Sequence, residues 1–418
     1  MAAVEPGTLE QSPARRPAFA YFLLARFSAS LAYQMVSVAV GWQIYALTGD
    51  PLHLGLIGLA QFAPMLLLTL AAGHVADRHD RRRIVAACMA IEALAAGVLA
   101  WVSLSGQPTL GVVYTAVIIM SAARAFEAPT LPALIPAVVP RAIIARATAL
   151  ATSANQVAQI AGPSLGGVGY GLGAGWVYVF AAGCYLTGLA AIMRMRVDQA
   201  PPRKEPTTLR TLLAGFTFIA SRRVLLGTLT LDLFAVLLGG ATALLPVFAK
   251  DILHAGPWAL GALRTAPACG AVVMAFFLGR TGLTGKVGTT LFCALFVFGA
   301  ATIVFGLSDS IALSVVTLAI LGAADAVSVV VRASLVQLNT PTEMLGRVSA
   351  INTLFVGTSN QLGEFRAGMM AAATGAVPAV VLGGVGTVII AALWMWRYPE
   401  LRRLRSLDDA RGCTKHAA

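Results

Sequence analysis

Ten ionisable side chains stand inside otherwise apolar segments of this 418-residue chain: Arg26, Glu92, Arg124, Glu127, Asp232, Arg264, Asp325, Arg332, Glu364 and Arg366. An ionised group at mid-depth in a bilayer costs at least about 2.5 kcal/mol, so each must turn toward a partner or toward water held in a cavity. Three kinds of chemistry are then open: carrying a proton, holding a charged substrate, or pairing with an opposite charge. Asp232 lies roughly 12 Å into its segment at about 1.5 Å per helical residue, too deep to reach water except through a cavity. No basic residue stands one helical turn from it, which makes it a proton-coupling candidate, with a structural ion pair as the equal alternative. Glu364 is the second proton-coupling candidate. It shares its depth with Arg264, and the two would pair with one another or bind an anionic or zwitterionic molecule. Gln34, Asn360, Gln361 and Arg366 complete the cavity candidates with Arg264, although amides in apolar helices more often join helices together. Arg26, Glu127 and Arg332 lie within two turns of a segment end, where a long side chain can snorkel to the interface.

These groups can only be positioned by helices that cross lipid. Hydrophobic residues make up 58% of the chain and charged residues 11%, with a mean hydropathy of +0.80. That composition cannot be sorted into an inside and an outside in water. Twelve runs of about 20 apolar residues can be laid out, from Phe19–Leu47 to Val377–Trp396. Lys and Arg concentrate in every second connection, while the alternate connections hold Lys250 alone. By the rule that basic loops stay inside, both termini are expected on the cytoplasmic side. The net charge of +12 therefore reads as topology and not as a nucleic-acid surface. Five scattered histidines and five cysteines without a C-x-x-C pair give no metal site, and no cofactor motif is present.

The chain repeats itself. Leu134 to Pro140, with Arg146 six residues further on, has a counterpart in Leu335 to Pro341 with Arg347. Both segments leave an even-numbered run and enter the next odd one at a constant offset, the mark of a duplicated six-helix unit. The expected organisation is a tail at 1–18, a six-helix bundle at 19–196, a linker with an amphipathic interfacial helix at 197–223, a second bundle at 224–396 and a basic tail at 397–418. The same offset aligns Arg124 with Asp325, placing opposite charges at equivalent sites of helices 4 and 10.

Between runs 2 and 3 stands Gly73-His74-Val75-Ala76-Asp77-Arg78-His79-Asp80-Arg81, which resembles the loop signature of the major facilitator superfamily. Asp80 stands where that signature has a second glycine. Gly162-Pro163-Ser164-Leu165-Gly166-Gly167 resembles the core of a helix-5 signature of proton-exchanging exporters. Thr340 to Arg347 and Leu213 to Phe216 are similar to the branch that contains the enterobactin exporter and other bacterial efflux proteins. The resemblance implies an all-α membrane protein with twelve helices in two pseudo-symmetric bundles. It implies that Gly73, Asp77, Arg78 and Arg81 form a cytoplasmic latch with Glu127 as the acid. It further implies that Gly162, Pro163, Gly166 and Gly167 shape helix 5, and that Arg124 and Asp325 face one another as an interdomain gate.

The function expected is a secondary transporter that exports a small amphiphilic molecule, siderophore-like or drug-like, in exchange for protons by alternating access. Its partners are that substrate, protons and the bilayer, with one chain as the working unit. An uptake permease is the alternative; a membrane receptor or enzyme would need a soluble output domain or a catalytic constellation, and the short loops hold neither.

Overall fold

The computed structural model describes residues 17–195, 216–282 and 286–404; within its helices the side chains of 69–70, 73–74, 76–77, 141, 342–343, 345–347 and 350 are outside the description. The described residues contain no strand. Twelve long helices follow in order: α1 Pro17–Thr48, α2 Pro51–Arg78, α3 Arg81–Leu104, α4 Leu110–Thr130, α5 Ile144–Tyr170, α6 Ala174–Arg194, α7 Arg223–Gly239, α8 Pro257–Thr281, α9 Val287–Gly306, α10 Ile311–Asn339, α11 Thr342–Thr374 and α12 Ala376–Arg397. Among the described residues, ten helical spans are long and apolar enough to cross a membrane. The two long helices outside that set are α5 and α11, and the reason is chemical. α5 carries Asn155, Gln156 and Gln159, and α11 carries Asn352, Asn360, Gln361, Glu364 and Arg366. Residues so polar line a path or meet another helix, because lipid would not tolerate them.

The chain divides into two compact units. In the first, which takes residues 17–47 and 63–195 of those described, α3 packs along α6 and α4. Asp80 begins α3 by accepting a hydrogen bond from the Arg82 amide at 2.9 Å, so the departure from glycine in the signature supplies an N-cap. Arg82 in turn donates to the Ile192 carbonyl at 2.9 Å and to the Met193 carbonyl, closing the end of α6. α5 approaches α1 through glycines: a Cβ at Gly162 would come within 2.5 Å of the Gln34 Cβ, and one at Gly166 within 3.1 Å of the Met35 backbone. Ser30 on α1 donates to Asn155 on α5 at 2.7 Å, so this contact is also hydrogen-bonded.

The second unit takes 48–62, 216–282 and 286–404. Here α9 packs along α12 and α10, as α3 does along α6 and α4 in the first, which is the packing a duplicated bundle requires. Residues 216–221 form a short helix whose Ile219 is fully buried with Leu225, Leu229, Val336 and Val348. The rest of the expected linker helix, through 215, lies outside the described residues. The apolar run read as one seventh helix is broken. α7 ends at Gly239, and the chain re-forms as a 3-10 turn, Thr242–Leu244, and a π-helical turn, Phe248–Ile252. Gly240 lets the break approach the Gly363 backbone of α11, where an added Cβ would stand 3.3 Å away. Residues 51–62 of α2 meet α11 in the same manner: a Cβ on Gly368 would lie 2.5 Å from the Gly55 nitrogen.

The tightest crossing joins α8 to α10. A Cβ on Gly270 would stand 1.8 Å from the Ala319 carbonyl oxygen, and one on Gly322 2.0 Å from the Pro267 carbonyl oxygen. Backbone cannot yield as a side-chain end can, so Gly322→Val is expected to destabilise by more than the roughly 1–3 kcal/mol of ordinary overpacking. Gly97→Ala, at a position with nothing within 4 Å of the new Cβ, is the control and should be neutral or gain up to about 1 kcal/mol. Thermal unfolding of the purified variants in detergent checks both. Equal melting points for Gly322→Val and the parent would refute the crossing.

Candidate functional site

Each unit contains a cluster of intramembrane charge. In the first, Arg124 and Glu127 share a face of α4 three residues apart, with Nη1 of Arg124 4.0 Å from Oε2 of Glu127. The Arg124 guanidinium lies over the Tyr33 ring of α1, 3.8 Å from its centroid, a cation–π contact. Arg26 of α1 is close enough to act electrostatically on both Glu127 and Arg124. Behind them Glu92 enters from α3, and its carboxyl interacts with that of Glu127. Arg124 borders open space with 35% of its side chain exposed, whereas Glu92 and Glu127 are buried. Glu127 therefore does not snorkel to the interface; its neighbours lie within the bundle.

In the second unit Asp232 of α7 forms an ion pair with Arg332 of α10, and both are buried. Arg332 does not reach water either. The partner of Asp232 comes from another helix, which is why spacing along α7 could not reveal it. Asp325, Ser328 and Arg332 recur at helical spacing on one face of α10, and Asp325 and Ser328 line a small cleft with Asp232 and Ala235 of α7. The other half of the charge pair expected across helices 4 and 10, Arg124, belongs to the first unit and lies beside Tyr33 and Glu127.

The remaining candidates fall at helix contacts. Arg366 donates from Nε to the Leu237 carbonyl at 2.8 Å and from Nη2 to the Leu238 carbonyl, satisfying the oxygens freed where α7 breaks. Arg264 acts electrostatically on Glu364, whose side chain also packs on Gly58 of α2. Gln34 packs against Gly162, and Asn360 donates to the Val356 carbonyl at 3.0 Å. The Gln361 Oε1 atom is buried without a hydrogen-bond partner. Pro163 and Gly167 are buried in α5. Arg78 is exposed and Arg81 donates to the Ala133 carbonyl at 3.1 Å, while the side-chain positions of Gly73 and Asp77 lie outside the described residues.

Twelve helices in duplicated packing, with charge buried between them and no strand among the described residues, define a multi-pass membrane transporter of the major facilitator type. Solved structures agree on the fold. The nucleoside transporter NupG superposes with a TM-score of 0.69 at 15% identity, covering 91% of this chain and 99% of that one. A bacterial homologue of the human lysosomal transporter Spinster gives 0.74 at 16% identity, covering 94% and 99%. A profile described as transmembrane secretion effector matches residues 8–413, and the chain belongs to that family. It is 28% identical over 391 residues to the enterobactin exporter EntS of Citrobacter koseri, covering 93% of this chain and 94% of the relative, and 27% identical to EntS of Escherichia coli over the same shares. These relatives and structural neighbours are transporters and none is an enzyme.

The Asp232–Arg332 pair yields a direct test. Asp232→Asn leaves a buried guanidinium without its counter-charge, at a cost of about 3–5 kcal/mol. Adding Arg332→Met removes the orphaned charge and should restore most of that loss. Melting temperatures of the two single variants and the double variant in detergent measure the coupling. Strictly additive losses would show that the two side chains do not depend on each other.

Proposed function

We propose that this protein is a proton-coupled exporter of a small amphiphilic molecule, siderophore-like or drug-like, working by alternating access in a bacterial inner membrane. The observation that carries the reading is the match to enterobactin exporters over 93% of the chain, which favours outward transport over uptake. Carboxylates set within the helices support proton coupling: buried Asp232 with Arg332 in one unit, half-buried Glu364 near Arg264 in the same unit, and the buried α4 acid in the other. For Asp232 the scheme is a competition, in which protonation releases Arg332 and loss of the proton restores the pair. Basic residues at alternate connections support cytoplasmic termini. One chain serves as the transporting unit, since a major facilitator fold contains both halves of its own path.

The direct experiment uses everted membrane vesicles with an imposed inside-acid gradient and two probes, enterobactin and a lipophilic cationic dye. Accumulation of either that collapses with a protonophore is the expected result. Accumulation only in right-side-out vesicles would establish uptake instead. In the variant pair Asp232→Asn/Arg332→Met, which keeps the charge balance, gradient-driven accumulation should be lost while exchange of labelled for unlabelled probe survives.

The latch and the gate remain part of the same proposal. Asp77→Asn is expected to abolish transport with membrane insertion intact, and normal transport would remove the latch. For the gate, Arg124→Asp and Asp325→Arg should each impair transport more than their combination does. A double exchange no better than the worse single variant would leave each charge to local packing.

A further inference from the structure

We infer that Glu92 and Glu127 form a proton-binding site inside the first unit, holding one proton between their carboxyl groups under the Arg124 guanidinium. Its use in coupling rests on the proton-driven transport proposed above, but its existence does not. The carboxyls come from different helices, α3 and α4, and Glu92 is 1% exposed and Glu127 3%. Neither Glu92 oxygen has a hydrogen-bond partner, and Oε2 of Glu127 has none within bonding distance. A carboxylate so enclosed, with no donor, is untenable as an anion in lipid. Two such groups side by side cannot both ionise, and sharing one proton removes one charge and makes one hydrogen bond.

An independent group points to the same spot. The hydroxyl of Tyr185 on α6, fully buried, also lacks a partner and is electrostatically coupled to Glu92, Glu127, Arg124 and Tyr33. Three unsatisfied polar groups from three helices lie within electrostatic reach of one another, and a proton on one carboxyl, with the Tyr185 hydroxyl as a further donor, satisfies them. The groups facing the pair are Arg26 and Tyr33 from α1, Cys88 from α3, Arg124 from α4 and Tyr185 from α6. Both arginines favour Glu127, and Arg124 stands nearer to it than to Glu92 by forming the ion pair. Glu127 is therefore the anion of the pair and Glu92 the acid. Arg124 keeps 35% of its side chain exposed, which leaves it room to turn. Turning it from Tyr33 and Glu127 toward Glu92 would stabilise the Glu92 carboxylate and pass the shared proton to Glu127.

Infrared difference spectroscopy of the purified protein in nanodiscs reads the site without any substrate. A protonated carboxyl has a carbonyl stretch distinct from that of a carboxylate, and the parent should show such a band at neutral pH that vanishes in Glu92→Gln. Because glutamine mimics the neutral acid, this variant should melt no lower than the parent. Tyr185→Phe, which removes only the facing hydroxyl, should shift the same band and covers the case in which Glu92→Gln folds poorly. A carbonyl band insensitive to both changes, or no such band in the parent, overturns the site. If the band behaves as expected while a proton gradient fails to drive accumulation in vesicles, the site stands and the proton-driven reading of transport falls.

Discussion

An ionised side chain inside a bilayer must find its counter-charge or its hydrogen bonds within the protein, and that requirement organises this molecule. It sets Asp232 against Arg332 and so ties α7 to α10. It sends Arg366 to the carbonyls of Leu237 and Leu238, which makes the break in α7 tolerable in a non-polar surrounding. Hydrophobic burial cannot perform these tasks, because lipid tails are as apolar as leucine. What holds helices together here is close packing at small residues plus a few polar contacts. The bond from the Trp394 indole to the Thr230 hydroxyl at 3.1 Å and that from Thr387 to the Ala235 carbonyl at 3.1 Å are two such contacts between α7 and α12.

Close packing and mobility are divided between different contacts. At the α8–α10 crossing backbone oxygens stand where a methyl group would be, so those helices cannot slide. The contact of 51–62 with α11 is also glycine on glycine, but beside it stands Glu364, whose Oε2 atom would lie 3.2 Å from a Cβ on Gly58. A carboxyl set into a glycine seam changes its fit with its own charge state, since the charged form demands water or a cation that the neutral form does not. Of the two least apolar long helices, α11 carries this chemistry through Glu364.

The number of helices, the duplication and the identity of the buried charges were legible in the sequence, because length, hydropathy and a constant offset are one-dimensional properties. Pairing was not. Arg332 stands 100 residues from Asp232, and near its helix end it reads as a side chain free to snorkel. Glu127 has the position of a latch acid, yet its company is Arg124, Glu92 and Arg26, a grouping that depends on the rotation of α1 and α3 about their axes. Helix rotation leaves little trace in segments that are apolar all round. The break in α7 did leave a signal, Gly239-Gly240 with Pro246 close behind, though hydropathy passes over it without a dip. The capping role of Asp80 was not read from the sequence, where the residue stood only as a departure from the glycine of the signature.

The duplication makes the distribution of charge informative in another way. At the offset that aligns Arg124 with Asp325, Glu92 corresponds to Cys293, Glu127 to Ser328 and Tyr185 to Gly386, while Asp232 and Arg332 correspond to Leu31 and Leu131. Each half therefore keeps the helix packing of the repeat but, apart from the site shared by Arg124 and Asp325, builds its charge cluster at positions the other half leaves neutral. Two halves with identical clusters would respond to a proton in the same way and gain nothing from having two sites. Clusters of different composition, a carboxyl pair under one cation in the first unit and an acid–base pair in the second, differ in what a single added proton does. In the first it fills a vacant hydrogen bond; in the second it breaks an ion pair. Under the proton-driven alternation proposed above, that difference would let one ligand tighten one half of the protein while loosening the other.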